Sequence, residues 1–213
     1  MTHMTSPKQL FVHELQDVYY AEKSLTNVLP KLAAEASDRE LTRAFQSHLK
    51  ETQKHIVNLE KVFKNLGESA HGQPCPGIDG IKAEHDDFRR AHQTTQPLSD
   101  VFLTGSASRT EHYEIAAYTS LIEKARALGE RDSVKLLQEN LKQEKDALKK
   151  VESISKRILK GMSSDGPGRR STSRRSTSAR STSARSTSGR STRKRSTTQR
   201  ATSTSRSRRR VSS

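Results

Sequence analysis

The 213-residue chain has a single cysteine, Cys75, no tryptophan, and aromatic residues that amount to 4% of it. One cysteine excludes an intramolecular disulfide and any metal site built from several thiolates, and it suits a reducing compartment. No apolar run approaches the ~20 residues that a transmembrane helix needs, and the first residues lack the basic and apolar segments of a secretory signal. We therefore expect a cytoplasmic protein without a membrane span.

Positive charge is distributed very unevenly along the chain. The formal net charge is +15, and residues 161–213 contribute fourteen arginines and Lys194 against one acid, Asp165. The first 160 residues are therefore close to neutral, show helix-period patterning, and are long enough for one domain with one core. In contrast, Met162 and Val211 are the only sizeable apolar residues after position 160. The sequence predicts a globular domain over residues 1–160 and a separate tail over residues 161–213.

The tail consists mostly of arginine, serine and threonine, with an arginine recurring at five-residue spacing from Arg175 to Arg200. We expect it to be disordered when free, because it cannot bury enough apolar surface to offset chain entropy. Its charge should bind nucleic acid by counterion release, without sequence specificity because no aromatic residues are present to stack on bases. A solubilising role and binding to anionic lipids are the alternatives, and DNA binding would associate the protein with the nucleoid. The candidate nucleic-acid-binding residues are Arg169, Arg170, Arg174, Arg175, Arg180, Arg185, Arg190, Arg193, Lys194, Arg195, Arg200, Arg206, Arg208, Arg209 and Arg210.

Apolar residues in the first 160 positions recur at intervals of three and four, which predicts amphipathic helices. A connection rich in glycine and proline, residues 67–97, separates two pairs of these helices and is predicted to contain a short helix of its own. The pattern predicts an all-α, ferritin-like four-helix bundle in which two antiparallel hairpins are joined by a long crossover. The expected helices span about Pro7–Ala36, Asp38–Leu66, Ser99–Leu128 and Arg131–Lys160, with the short helix at about Ile78–Ala91.

Each long helix carries a glutamate in the middle of its apolar stripe: Glu22, Glu51, Glu114 and Glu144. Facing residues of an antiparallel hairpin lie equally far from the turn. The midpoint of the first two glutamates falls between Ala36 and Ser37, where the Ser37-Asp38-Arg39-Glu40 segment has the form of a capping box. The midpoint of the other two is Gly129, a typical residue for ending a helix. We therefore expect Glu22 beside Glu51, and Glu114 beside Glu144.

Carboxylates inside a bundle must be protonated, paired or bound to a cation, because burying a bare charge costs several kcal/mol or more. Four at one level is the arrangement that holds two metal ions, and carboxylate with imidazole suits iron or manganese. Glu111, one turn from Glu114, joins the candidate ligands. His48 and His55 flank Glu51 and either bind metal directly or orient a ligand. For any single glutamate the alternative is a hydrogen-bonded buried carboxylate or a solvated edge residue.

Three segments together resemble the YciE/YciF family of ferritin-like stress proteins over about residues 7–160. They are the HELQDVYYAEK segment that starts at His13, the HLKET segment that starts at His48, and the EHYEIAAY segment that starts at Glu111. The resemblance implies a dimeric four-helix bundle related to rubrerythrin, with a dinuclear metal centre. The Glu111 and Glu114 pair resembles the Glu-x-x-Glu helix of rubrerythrins, whereas their four-cysteine rubredoxin domain is absent from this sequence. The arginine-rich tail is not part of the family pattern.

Two functions of different classes are consistent with these observations. The first is a stress-response protein whose dinuclear centre, of iron or manganese, consumes peroxide or oxidises ferrous iron while the tail holds it on DNA. The second is a non-catalytic nucleic-acid-binding protein whose bundle serves for dimerisation and whose metal is structural or absent. Metal content and peroxide consumption distinguish the two.

Overall fold

The computed structural model describes residues 3–164, and all predicted nucleic-acid-binding residues of the tail lie outside this range. Within it the chain is entirely helical, which confirms the predicted fold class. None of these helices is long and apolar enough to cross a membrane within the described part of the chain. The last helix continues past the predicted end at Lys160. The helices are α1 (Pro7–Glu35), α2 (Arg39–Leu66), α3 (Pro76–Ala91), α4 (Gln96–Ala127) and α5 (Arg131–Ser164).

The helix ends follow from local sequence, with one difference from expectation. Asp38, not Ser37, caps α2, since its carboxylate accepts hydrogen bonds from the backbone N–H groups of Glu40 and Leu41, both at 3.0 Å. Ser37 instead donates its hydroxyl to Asp100 of α4 at 2.5 Å. The predicted N-cap was therefore wrong by one residue, because the Ser37 hydroxyl donates to the Asp100 carboxylate and not to the backbone of α2. Gly129 ends α4 as predicted, with a φ of 78° that favours glycine.

The four long helices pack around the core in the order α1, α2, α5, α4. Contacts between Glu14 and Ser120, and between Ser37 and Asp100, show that α1 and α4 run in opposite directions. In the same way, the contacts between His55 and Gln143 and between Asn65 and Ser133 show that α2 and α5 run in opposite directions. Consequently α2 and α4 run parallel, and the connection between them must return along the length of the bundle. This is the predicted ferritin-like topology.

The crossover carries α3, which lies on the outside of α1 and α4. Ile78 is the one buried side chain of α3. Most of its other contacts are polar or aromatic: Tyr20 of α1 donates to Asp79, and Phe88 stacks on Phe102 of α4. The helix is therefore attached to the bundle by a few surface contacts rather than by a core of its own.

Two apolar clusters fill the bundle, and a polar layer separates them on all four long helices. One cluster includes Phe11, Leu59 and Leu121, and the other includes Leu29 and Leu103. Burial of these side chains supplies most of the driving force for folding, at roughly 25 cal/mol per Å² of apolar surface. The polar layer lies between them, so its side chains are held by well-packed material on both sides.

Candidate metal centre

Six buried side chains from the four long helices form two overlapping groups in the polar layer. The first group contains His48, Glu111, Glu114 and Glu144, and the second contains Glu22, His55 and Glu144. Within each group one nitrogen or oxygen atom of every residue lies within 4.8 Å of the others. Glu144 belongs to both groups, so its two oxygens could each face a different cation.

In the first group, His48 Nε2 lies 3.4 Å from Glu111 Oε1 and 3.7 Å from Glu144 Oε2. Both ring nitrogens of His48 and both carboxylate oxygens of Glu114 have no hydrogen-bond partner among the residues that the structure describes. Buried polar atoms are almost always hydrogen-bonded, so such a concentration of unpaired lone pairs requires an explanation. A cation held by this group would satisfy His48 Nε2, which faces Glu111 and Glu144, together with the Glu114 oxygens, whereas Nδ1 faces Glu51. Glu114 and Glu144 lie in the same group, as the hairpin argument predicted.

In the second group, His55 Nδ1 lies 2.8 Å from Glu144 Oε1 and 3.2 Å from Glu22 Oε1. Neither contact has the geometry of a hydrogen bond, and Nδ1 has no hydrogen-bond partner among residues 3–164. The other ring nitrogen, Nε2, donates to Gln143 Oε1 at 2.8 Å. In the neutral ring this bond leaves the lone pair on Nδ1, facing the two carboxylates. The arrangement is therefore that of an imidazole oriented for a cation.

A hydrogen-bond network supports the second group from behind. The Tyr118 hydroxyl donates to Glu22 Oε1, and Asn140 Nδ2 donates to the Tyr118 oxygen at 3.1 Å and to the His55 carbonyl at 3.3 Å. Asn58 in turn donates to Asn140 Oδ1 at 2.8 Å. Neither asparagine was among the predicted site residues. Their signal was their position, since each lies three or four residues from His55 or Glu144 on the same helix face.

Burial raises the pKa of Glu22, and it raises the pKa values of Glu111 and Glu114 well above the usual range for glutamate. Burial acts in the same direction on Glu144, but His55 and His48 outweigh it, so the pKa of Glu144 is lowered. The shifts therefore favour the charged form of Glu144 and the neutral forms of Glu22, Glu111 and Glu114.

The two histidines respond to these carboxylates. Burial alone would lower their pKa values. Glu111 and its neighbours raise the pKa of His48 to about 9, and Glu144 with Glu22 raises that of His55 to about 10. The polar layer thus stabilises positive charge, whether it arrives as protons or as metal ions.

Glu51 differs from the other predicted ligands. Its side chain is 36% exposed, and its Oε2 atom lies 3.5 Å from His48 Nδ1, on the outer side of the ring. Neither group found among residues 3–164 includes it. The α2 residue that lies beside Glu22 is His55, at 3.2 Å, and not Glu51. The expected Glu22–Glu51 pairing was therefore wrong. Direct binding of metal by Glu51 stays a prediction.

Two cavities reach the first group, and both are lined in part by His48 and Glu111. One, of about 140 Å³, lies beneath α3, and most of its wall surface is apolar although polar side chains also line it. The other, of about 380 Å³, lies between α2, α4 and α5, with Arg43, Asp146 and Lys150 among its lining residues. Small molecules can therefore reach the first group from two sides.

Fold and site together define a helical-bundle protein with a buried histidine–glutamate cluster that could hold metal. Residues 6–162 match the model of a domain of unknown function, DUF892, and the chain belongs to that family. It is 35% identical to the protein YciF of Escherichia coli (strain K12) over 144 residues, which cover 67% of this chain and 86% of YciF. The resemblance inferred from the sequence motifs is thereby confirmed.

Solved structures of relatives have the same fold. The crystal structure of the E. coli stress protein YciF superposes with a TM-score of 0.70 at 32% identity, covering 74% of this chain and 99% of that one. YcfI from Rhodopseudomonas palustris has a TM-score of 0.68 at 40% identity, covering 70% of this chain and 94% of that one. The bundle is thus shared along nearly the full length of both relatives, whereas part of this chain has no counterpart in them.

Proposed function

We propose that this protein binds two metal ions, iron or manganese, and uses them to consume peroxide or to oxidise ferrous iron. The observation that carries the proposal is the position of Glu144, whose two oxygens belong to two ligand groups with a different histidine in each. A carboxylate shared in this way suits metal pairs about 3.5–4 Å apart. The mixture of carboxylate and imidazole, without thiolate, suits iron or manganese.

Each residue of the polar layer has a distinct task in this function. Glu144 stays ionised between the two groups, while Glu22 and His55 are held in place by Tyr118 and Gln143. The first group keeps unpaired atoms on the side that the cavities reach. When bound, a pair of redox-active ions supplies or accepts the two electrons that conversion of a peroxide requires. The apolar clusters on either side exclude bulk water.

Metal analysis followed by activity measurement tests this proposal. We expect the full chain, purified after iron supplementation, to contain about two ions per chain, and to consume hydrogen peroxide or oxidise ferrous iron faster than free iron does. Elemental analysis by mass spectrometry gives the ratio, and a peroxide electrode gives the rate. A chain that retains no metal would contradict the proposal and favour the non-catalytic alternative.

The alternative, a nucleic-acid-binding protein with an inert bundle, is supported by the fourteen arginines and Lys194 after position 160. We also propose DNA tethering for the metal protein, since both functions use the same charge. A tail that contacts six to ten phosphates would lose about 10³–10⁵ in affinity between 50 and 200 mM salt. The comparison is a gel shift at both salt concentrations with the full chain and with a chain ending at Ser164, where α5 ends. Unchanged binding by the shortened chain would contradict tethering through the tail.

The family resemblance also favours a homodimer, which we include in the proposal. Light scattering of the full chain and of the chain ending at Ser164 should give twice the mass of one chain in both cases. A monomer in both cases would refute this part of the proposal without affecting the metal site.

A further inference from the structure

The aliphatic cavity beneath α3 is larger than water or hydrogen peroxide requires. Its volume is about 140 Å³, close to that of cavities of about 150 Å³ with aliphatic and aromatic walls that bind benzene. A molecule with a small alkyl or aryl group would therefore fit. The walls contain Leu25, Val28, Leu29, Leu32, Phe45 and Ala107.

The polar groups of this cavity include atoms of the metal centre. His48 and Glu111 line it, and their side chains are more than nine-tenths buried. Both nitrogens of His48 and Oε2 of Glu111 have no hydrogen-bond partner in the part of the chain that the structure describes. A ligand that combines an apolar body with one polar group would match both parts of the cavity.

Charged residues of both signs line this cavity. Lys82 and Glu35 each form an ion pair with a neighbour, Asp86 lies 3.2 Å from His85, and Lys31 also lines the cavity. A cleft lined by one sign of charge attracts the opposite ion, whereas this lining carries both signs. We therefore infer a neutral ligand.

We propose that the cavity binds a small neutral organic hydroperoxide, with its alkyl or aryl group against the aliphatic walls and its hydroperoxyl group at His48 and Glu111. This inference rests on the proposed function and names its substrate class. Reduction of R–OOH to R–OH and water breaks the O–O bond and consumes two protons and two electrons. A pair of ferrous ions held by the polar layer would supply these electrons, one from each ion, and solvent would supply the protons.

The test fills the cavity without changing a polar residue. Ala107→Leu adds three carbons to the α4 wall, and Val28→Phe fills the cavity from α1. Ala83→Leu makes the same addition as the first variant on the exposed side of α3, where it does not line the cavity. All are made in the full chain, and thermal unfolding identifies any variant that does not fold.

Binding is measured with 4-fluorobenzyl alcohol, a redox-inert probe, by fluorine NMR on protein as purified. We expect binding to the original chain and to Ala83→Leu, and at least tenfold weaker binding to both filled variants. Equal binding to all four proteins, or binding to none, would overturn the inference. This readout does not depend on activity.

Activity is measured on iron-loaded protein with tert-butyl hydroperoxide and with hydrogen peroxide. Filling the cavity should lower kcat/KM for the organic substrate at least tenfold and change that for hydrogen peroxide less than twofold. If hydrogen peroxide is consumed but the organic substrate is unaffected by filling, the inference fails and the proposed function stands. Inactivity with both peroxides would overturn the substrate class together with the peroxide-consuming form of the proposed function, and would leave oxidation of ferrous iron as its other form.

Discussion

The two ligand groups of the polar layer share Glu144 but differ in how their other members are supported. In the second group Glu22 accepts a hydrogen bond from Tyr118, and His55 is fixed through Gln143. In the first group Glu114 has no such partner within residues 3–164, and both cavities reach this side. If the proposed function holds, we expect the second group to retain a cation and the first group to exchange with incoming molecules.

Replacing the shared ligand should have the largest effect. Glu144→Gln removes the charge that both groups use, so we expect both ions to be lost, with affinity falling by more than the roughly 10–100-fold that loss of a supporting residue costs. Equilibrium dialysis followed by elemental analysis measures the loss. The matched control is Glu51→Gln, the same change at a partly exposed position on the outer side of His48. If the control loses metal equally, Glu51 is a ligand and the boundary of the first group is wrong.

Tyr118→Phe should damage the second group selectively. It leaves Glu22 Oε1 and Asn140 Nδ2 each without the hydrogen bond that the phenol oxygen makes. We expect one of the two ions to bind about 10–100-fold more weakly and the metal-free chain to lose about 1–3 kcal/mol of stability. Urea unfolding and metal titration measure the two effects.

The matched control for this change is Tyr19→Phe, because the Tyr19 hydroxyl donates to Glu60 at the protein surface. It should cost less than about 1 kcal/mol. Equal losses from both changes would show that the Tyr118 hydroxyl has no special role in the site.

The stability of the metal-free chain should fall as the pH rises from 6.5 to 10. The pKa values of His48 and His55, about 9 and about 10, lie above the ordinary histidine value of 6.5. Their protonation therefore stabilises the fold fully below about pH 6.5, and this contribution is lost as the pH passes through the raised values. The raised carboxyl pKa values act in the same direction.

In the proposed function, metal ions would replace these protons, so we expect a chain saturated with manganese to lose less stability over the same range. The measurement is urea unfolding at pH 6.5, 8 and 9.5, with chelator and with manganese. Identical midpoints at every pH in chelator would contradict this account of the polar layer.

Much of the fold was predictable because the helices are long and their apolar stripes are regular. Gly129 identified the second turn correctly, since a glycine with positive φ ends α4 there. The start of α2 was predicted one residue too early. No residue near Ser37 in the sequence indicates that its hydroxyl donates to Asp100, which is 63 residues away. A shift in the turn centre is doubled at the facing position, so an error of one residue moves the expected partner of Glu22 by two residues from Glu51 towards His55, which is half of the four-residue difference.

The remaining parts of the site depended on contacts between helices. The glutamates were visible because a charge on an apolar stripe is unusual. Asn58, Asn140 and Gln143 are ordinary helix residues in sequence, and only the packing of α2 against α5 brings them to the site. The cavity beneath α3 likewise depends on where the crossover lies, which apolar periodicity does not specify.

Anomalous diffraction at the iron absorption edge, on crystals of the iron-loaded full chain, tests the central claim most directly. We predict two peaks about 3.5–4 Å apart, one on each side of the Glu144 carboxylate, with His48 beside one and His55 beside the other. A single peak, or peaks away from Glu144, would contradict a centre built around that shared carboxylate.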